Sequence, residues 1–252
     1  MINRQSLDRL YRAYNRPCYI DPDPLLFLHR YNRVEDREIV GLIASSLAFG
    51  RVAHICASVE RVLAILGPAP RAYLDAASPA VLESGFTDFR HRYASGRDLI
   101  GLLRGIQHAT GKWGSLNRCF VGGLKASHPT VIPALSAFVE ALDCGPNYLL
   151  PHPELGSACK RLHLFLRWMV RHDDVDPGGW TGVSRRQLIV PLDTHMARIS
   201  KQLGLTRRAS ANGIMALEIT DGFRRWAPRD PVKYDFALTR FGIRAGLGPL
   251  PF

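Results

Sequence analysis

The chain has 252 residues and a net charge of +11, with 33 lysines and arginines against 22 aspartates and glutamates. That length allows a sizeable core in one large domain or two small lobes, and no stretch approaches the ~20 apolar residues of a membrane span. The polar N-terminus lacks the apolar segment of a signal peptide, so we expect a cytoplasmic protein. The basic balance favours an acidic partner, nucleic acid first, although an inert basic surface explains the charge equally well.

The cysteines are few, odd in number and scattered, and no two of them form a Cys-x-x-Cys pair. This pattern is typical of reduced, mostly buried thiols, and it argues against a disulfide framework, a metal site or an iron–sulfur cluster. We therefore expect no cofactor and no metal. The five positions are Cys18, Cys56, Cys119, Cys144 and Cys159.

Apolar residues at three-to-four spacing predict helices over residues 35–47, 52–66, 98–109 and 131–142. Clusters of proline, glycine and asparagine separate the segments at 67–70, 128–129, 145–147 and 177–179. Strand-like alternation with hairpin turns is missing, so any sheet should be minor. We predict an all-α fold and treat residues 1–252 as a single domain.

The segment 149–174, "LLPHPELGSACKRLHLFLRWMVRHDD", contains a proline-rich and glycine-containing turn followed by a helix that we expect to begin near Ser157. Lys160, Arg167 and Arg171 recur at helical spacing and predict a cationic ridge, for which a solvated basic face is the ordinary alternative. Lys160 falls in the first turn, where the helix dipole disfavours a cation but where free amides can hold a phosphate. A functional role for this lysine is therefore worth testing.

The segment 189–205, "IVPLDTHMARISKQLGL", places Asp193 where an apolar run meets an amphipathic helix. Aspartate is a good N-cap residue, so capping alone explains its position. A lysine at the start of one helix and an aspartate at the start of the next also supply an amine nucleophile and a charge stabiliser, if the fold brings them into one cleft. Periodicity does not decide whether they meet.

These two segments resemble the helix-hairpin-helix DNA glycosylase superfamily, which contains endonuclease III. "PHPELGSACK" resembles its hairpin and lysine, and "PLDTHMARISKQLGL" is similar to the element that bears its aspartate. The interval from Lys160 to Asp193 looks like that of the archaeal 8-oxoguanine glycosylase branch. The early "IVGLIASSLAFGRVAHICASVERVLAILG" and the late "VKYDFALTRFGIR" look like its early and closing helices, and much of the chain also resembles a related bacterial family of uncharacterised function.

The resemblance implies two helical lobes around a central cleft, with the helix-hairpin-helix element at about residues 131–171. It implies a monomeric, nucleoid-associated enzyme that flips a damaged base, with 8-oxoguanine foremost, out of duplex DNA and excises it with accompanying lyase activity. The implied catalytic pair is Lys160 and Asp193. The implied base pocket comprises Arg167, Phe49, Trp168 and Asp235, and the implied DNA-backbone contacts are Gly156, Ser157, Arg161, His195 and Arg198.

Some features depart from the superfamily's pattern or leave choices open. Ala158 stands where a second hairpin glycine is usual, which predicts a strained or weaker phosphate grip, and Leu47 stands where endonuclease III-like members carry glutamine. Other rings are also available for stacking on a base, although each suits a hydrophobic core equally well: Trp180, Tyr234 and Phe236.

Two other functions compete with the glycosylase interpretation. A helix-hairpin-helix element often only grips the DNA backbone, so the protein would then be a non-catalytic binding module. A metal-dependent phosphohydrolase is the second alternative, for which the sequence offers the donors His163, His172, Asp173 and His195. The joint presence of Lys160 and Asp193 favours an enzyme over a simple grip.

Overall fold

The computed structural model describes residues 3–243, and this part of the chain is mostly α-helical. The predicted all-α class is therefore confirmed. The α-helices in chain order are α1 (Arg4–Tyr14), α2 (Val34–Ser46), α3 (Val52–Leu66), α4 (Pro70–Ala76), α5 (Pro79–Phe86), α6 (Gly96–Trp113), α7 (Leu116–Gly122), α8 (Ile132–Leu142), α9 (Lys160–Val170), α10 (Thr194–Gln202), α11 (Gly213–Arg224) and α12 (Asp235–Ile243). Short 3-10 helices occupy Pro17–Tyr19, Pro24–Arg30, Pro153–Leu155 and Arg185–Gln187.

The helices predicted from periodicity appear as α2, α3, α6 and α8, with ends within a few residues of the expected ones. The helix expected from near Ser157 instead begins at Lys160. The reason lies in Cys159, whose φ of +43° is left-handed and cannot continue a right-handed helix. The late segment "VKYDFALTRFGIR" forms α12, and its last residue, Arg244, lies outside the described residues.

Helix α2 lies at the centre of the core and packs against α3, α4, α7, α9 and the 3-10 helix Pro24–Arg30. Glu38 of α2 is buried, and its carboxylate accepts hydrogen bonds from the amides of Leu116 at 2.8 Å and Asn117 at 3.0 Å and from Trp180 Nε1 at 2.8 Å. Unpaired first-turn amides need an acceptor, so this carboxylate fixes the start of α7. Glu38 thereby ties α2 and Trp180 to α7.

A two-stranded antiparallel hairpin, β1 (Arg90–His91) and β2 (Ala94–Ser95), lies between α5 and α6. Buried His91 anchors it, because its ring nitrogens contact Ser58 Oγ at 2.8 Å and the carbonyl oxygen of Phe49 at 3.0 Å. Ser95 then caps α6 in a capping box with Asp98. The hairpin turn therefore has a fixed position beside Phe49.

Within residues 3–243 no individual helix has both the length and the apolarity needed to cross a bilayer, and only α3 and α4, bent by 59° at their junction, meet that test as a pair.

Candidate active site

Lys160 and Asp193 meet. Lys160 is the first residue of α9, and Asp193 is the N-cap of α10. Lys160 Nζ lies 3.5 Å from Asp193 Oδ2 and 3.5 Å from the carbonyl oxygen of Ala48, just after α2. The lysine side chain is 32% exposed and the aspartate side chain 20%. An amine and a carboxylate therefore share one partly open site.

The two oxygens of Asp193 have different partners. Oδ1 accepts a hydrogen bond from the amide of Met196 at 2.8 Å, which is an ordinary N-cap contact. Oδ2 faces Lys160 Nζ. The capping interpretation of Asp193 is thus correct but incomplete, because one oxygen caps α10 while the other is directed at the amine.

A cavity of about 420 Å³ opens beside this pair, within the size range of small-molecule sites. Lys160, Asp193 and His195 line it and also line a neighbouring groove, so they lie at the boundary between the two spaces. Part of the cavity wall is aliphatic, formed by Pro24, Ala48, Val52, Ile55, Leu164 and Pro191.

The inner end of the cavity is charged. Its residues are Asp23, Arg167, Asp235 and Arg240, of which Arg167 and Asp235 pair directly. Arg240 Nη2 donates to Asp23 Oδ2 at 2.8 Å, and its guanidinium lies 4.1 Å from the centre of the Phe236 ring. Three buried polar atoms there have no hydrogen-bond partner in the described part of the chain: Arg167 Nη2, Arg240 Nε and Asp235 Oδ1. The residues of this end carry guanidinium donors and carboxylate acceptors, so it suits a polar ligand.

Burial and ion pairing have opposite effects on the pKa of each of these groups. Burial raises the pKa of Asp235, and the neighbouring Arg167 offsets the rise only in part. Burial lowers the pKa of Arg167, but the carboxylates of Asp176 and Asp235 more than reverse this and raise it above its usual value. A guanidinium held charged beside a carboxylate provides donors and an acceptor at one place.

Outside the cavity, the groove of about 550 Å³ follows the loop before α9, where Gly156, Ser157 and Ala158 lie. Gly156 has a left-handed φ of +76°, which suits glycine. Its carbonyl accepts a hydrogen bond from the amide of Gly213 at 3.0 Å, so the start of α11 supports this loop. The strain expected at Ala158 falls instead on Cys159, the residue with a left-handed φ of +43° and a buried thiol.

The prediction of a cationic ridge on α9 is wrong. Arg167 and Arg171 are buried, with side chains 3% and 2% exposed. Arg171 pairs with Asp173 and Asp176, in the acidic segment that follows α9, and with Asp230, which lies shortly before α12. Of the three cations predicted to share a face, Lys160 alone reaches the boundary of the groove.

The predicted stacking rings do not line the cavity. Trp168 is fully buried in the core and does not line the cavity. Phe49 lies in the outer groove rather than the cavity. The other candidate rings make structural contacts. Trp180 donates a hydrogen bond to Glu38, and the Tyr234 hydroxyl donates one to Asp8 Oδ1 at 2.9 Å. The Phe236 ring packs against the Arg240 guanidinium.

Of the residues predicted to contact the DNA backbone, some line the groove and others do not. Gly156, Ser157 and His195 line the groove. Arg161 also lines it, but Nη1 donates to the carbonyl oxygen of Ser46 at 3.0 Å and Nη2 to that of Tyr148 at 2.7 Å, so this guanidinium is a structural brace. Arg198 is exposed on α10 and lines neither space.

The metal-dependent phosphohydrolase alternative requires a cluster of metal ligands. Between residues 3 and 243 no three or more His, Cys, Asp or Glu side chains converge as metal ligands would. The donors His163, His172, Asp173 and His195 therefore do not form a set. Sequence reasoning missed Asp23 and Arg240 at the inner end of the cavity, and only the Asp-Pro start of the 3-10 helix Pro24–Arg30 marked that region.

A search of curated proteins finds no match, and a search of solved structures finds none either. A family model described as "Protein of unknown function (DUF2400)" matches residues 23–244, which span nearly the whole chain and include both Lys160 and Asp193. The chain therefore belongs to the DUF2400 family.

Proposed function

We propose that this protein is a DNA glycosylase with associated lyase activity, which excises a damaged base from duplex DNA and whose foremost substrate is 8-oxoguanine. The observation that carries the proposal is the contact of Lys160 Nζ with Asp193 Oδ2, 3.5 Å apart, at the boundary between the groove and the cavity. The helix-hairpin-helix resemblance of the two segments that bear these residues gives the pair its chemistry.

In the proposed reaction a damaged nucleotide leaves the duplex and its base enters the cavity, since the sugar is not accessible within a stacked helix. The neutral amine of Lys160 attacks C1′, and the electron pair of the glycosidic bond departs with the base, which takes up a proton. Asp193 Oδ2 stabilises the positive charge that develops on the sugar, and its fixed cap to Met196 keeps it oriented. Loss of a proton from the amine and opening of the sugar ring leave an imine at C1′.

The inner end of the cavity supports an oxidised purine as the substrate. Arg167 and Arg240 line this end with guanidinium donors, and Asp235 lines it with a carboxylate acceptor. A base with two carbonyl oxygens beside N–H groups, such as 8-oxoguanine, complements this set. No Phe, Tyr or Trp is among the described residues that line the cavity, so recognition falls mainly on the polar edge of the base rather than on stacking.

Borohydride trapping tests the proposal. Duplexes that each carry 8-oxoguanine, uracil, thymine glycol or an abasic site are incubated with protein and reductant, and the adduct is mapped by mass spectrometry. We expect a covalent adduct at Lys160 on the 8-oxoguanine duplex, because reduction converts the imine into a stable amine. Lys160→Ala should bind the duplex and yield no adduct.

Lys112→Ala is the matched control, since Lys112 is an exposed lysine on α6 that lines neither space. This variant should trap as wild type does. Full trapping by Lys160→Ala on the 8-oxoguanine duplex would refute the assignment of the nucleophile. Binding without excision by the wild type on every lesion would instead support a non-catalytic DNA-binding protein.

A further inference from the structure

Two tyrosines beside the groove are unusually exposed. Tyr93, in the turn between β1 and β2, is 72% exposed, and Tyr148, in the loop before the 3-10 helix Pro153–Leu155, is 45% exposed. Their ring centres lie 5.9 Å apart, and the Tyr148 ring lies 5.3 Å from that of Phe49. Because Phe49 lines the groove together with Lys160, the aromatic surface formed by Phe49, Tyr93 and Tyr148 continues outward from the candidate active site.

The backbone segments that carry the two exposed rings are held by hydrogen bonds to α6. Asp98, at the start of α6, accepts hydrogen bonds from the amide of Ser95 at 2.8 Å and from the amide of Tyr148 at 3.0 Å. One carboxylate therefore ties both the hairpin and the Tyr148 loop to α6. A fixed backbone beneath the rings loses little conformational freedom when a ligand packs on them, which favours binding.

Cations accompany the rings. The Arg92 guanidinium lies 5.5 Å from the centre of the Tyr93 ring, and the Arg161 guanidinium lies 4.9 Å from that of Phe49 and 5.4 Å from that of Tyr148. Arg161 is engaged with carbonyl oxygens, whereas Arg92 is exposed. Exposed rings beside arginine are the means by which proteins hold single-stranded nucleic acid, since every base has a face for stacking.

We propose that the aromatic surface of Phe49, Tyr93 and Tyr148 is a stacking site for unpaired nucleobases of DNA. The site lies outside the cavity and takes bases next to the one that enters it, so the protein binds locally unpaired DNA more tightly than fully paired DNA. The net charge of +11 and Arg92 favour this polyanion over an uncharged peptide as the occupant. The inference rests on the proposed function for DNA as the partner, but not on any reaction of Lys160.

The test measures affinity by fluorescence anisotropy with three lesion-free DNAs of equal length: a paired duplex, a duplex with an internal bubble of unpaired bases, and a single strand. The wild type should bind the bubble and the single strand more tightly than the duplex. Tyr93→Ala and Tyr148→Ala should each lose on the order of tenfold in affinity for the unpaired DNAs, the size expected for one stacked base, and keep their affinity for the duplex.

Tyr93→Phe keeps the ring and should bind as the wild type does. Val81→Ala, at an exposed apolar side chain on α5 that is 47% exposed, is the control for loss of apolar surface alone. A bubble substituted with 5-iodouracil should crosslink to Tyr93 or Tyr148 on irradiation. Equal binding of the three DNAs by the wild type, or an equal loss on duplex and bubble in the alanine variants, would overturn the inference.

Lesion-free DNA separates this result from that of the trapping experiment. A preference for unpaired DNA that depends on Tyr93, found in a protein that forms no borohydride adduct, would support the stacking site and refute the proposed enzyme. An adduct at Lys160 formed without any dependence of binding on Tyr93 or Tyr148 would support the enzyme and refute the stacking site.

Discussion

Replacing Asp193 by asparagine separates the two roles of its carboxylate. Asparagine keeps an oxygen for the Met196 amide, which lies 2.8 Å from Asp193 Oδ1, and caps a helix about as well as aspartate. The variant loses the charge that faces Lys160 Nζ across 3.5 Å, in a pair of partly exposed side chains. Such a pair contributes roughly 0–1 kcal/mol to the free energy of unfolding. For a chain of this size, the melting temperature should therefore fall by no more than about 4 °C.

Excision should respond very differently. Loss of a group that stabilises developing charge raises the barrier by ~3–4 kcal/mol, which corresponds to a rate lowered roughly 10²- to 10³-fold. The assay is single-turnover release of 8-oxoguanine from a duplex, with thermal unfolding measured on the same preparation. The expected result is a nearly normal melting temperature with excision almost abolished.

Ser115→Ala provides the matched control for capping. Ser115 Oγ accepts a hydrogen bond from the amide of Arg118 at 3.1 Å at the start of α7, away from both cavity and groove. Its loss should cost ~1 kcal/mol of stability and leave excision unchanged. An Asp193→Asn protein that excises within about threefold of the wild-type rate would refute the role of the charge.

Two further predictions concern salt and pH. Affinity for duplex DNA should fall at least tenfold between about 50 and 200 mM salt, because phosphate contacts release counterions, and an affinity that does not change would refute DNA binding. Burial lowers the pKa of His163 to about 4 from 6.5, so the unfolded chain binds the extra proton and stability rises with pH across that window. Burial, only partly offset by Arg167 and Arg171, raises the pKa of Asp176 to about 6 from 3.8, so stability falls with pH across that second window. His163→Phe removes the histidine's contribution to the pH dependence. The free energy of urea unfolding of the variant, minus that of the wild type, should therefore decrease between pH 4 and 6 by up to ~1.4 kcal/mol per pH unit. A difference that stays constant with pH would contradict the assignment.

The helices were predictable because burial imposes a period on the sequence. The apolar residues of α3 and α8 mark the faces that pack in the core, and their bounds agree closely with those predicted. The start of α10 was predictable from Asp193, since a cap acts on amides a few residues away. These are local signals, and they need no knowledge of the rest of the fold.

The inner end of the cavity was not predictable in this way. Arg240 pairs with Asp23, a residue 217 positions away, and no local pattern reports such a contact. Arg167 and Arg171 follow the spacing of a solvated face, yet the acidic segment after α9 neutralises them inside the protein. The core position of Trp168 was not predictable for a related reason, because the same aromatic residue suits a core and a pocket.

The buried charges beneath the cavity restrict the routes by which this chain can evolve. Asp176 pairs with Arg167 Nε at 3.2 Å and with Arg171 Nη1 at 3.4 Å, so replacing any one of the three breaks at least one ion pair in the interior. That change typically costs ~3–5 kcal/mol, a large share of the ~5–15 kcal/mol that stabilises a domain. Effects within such a group are not additive, so its members should change in concert and show strong epistasis. The aliphatic lining residues Ile55 and Leu164 take part in no such ion pairs. Among relatives, substitutions that change the width of the cavity should therefore appear more readily than substitutions at its charged end.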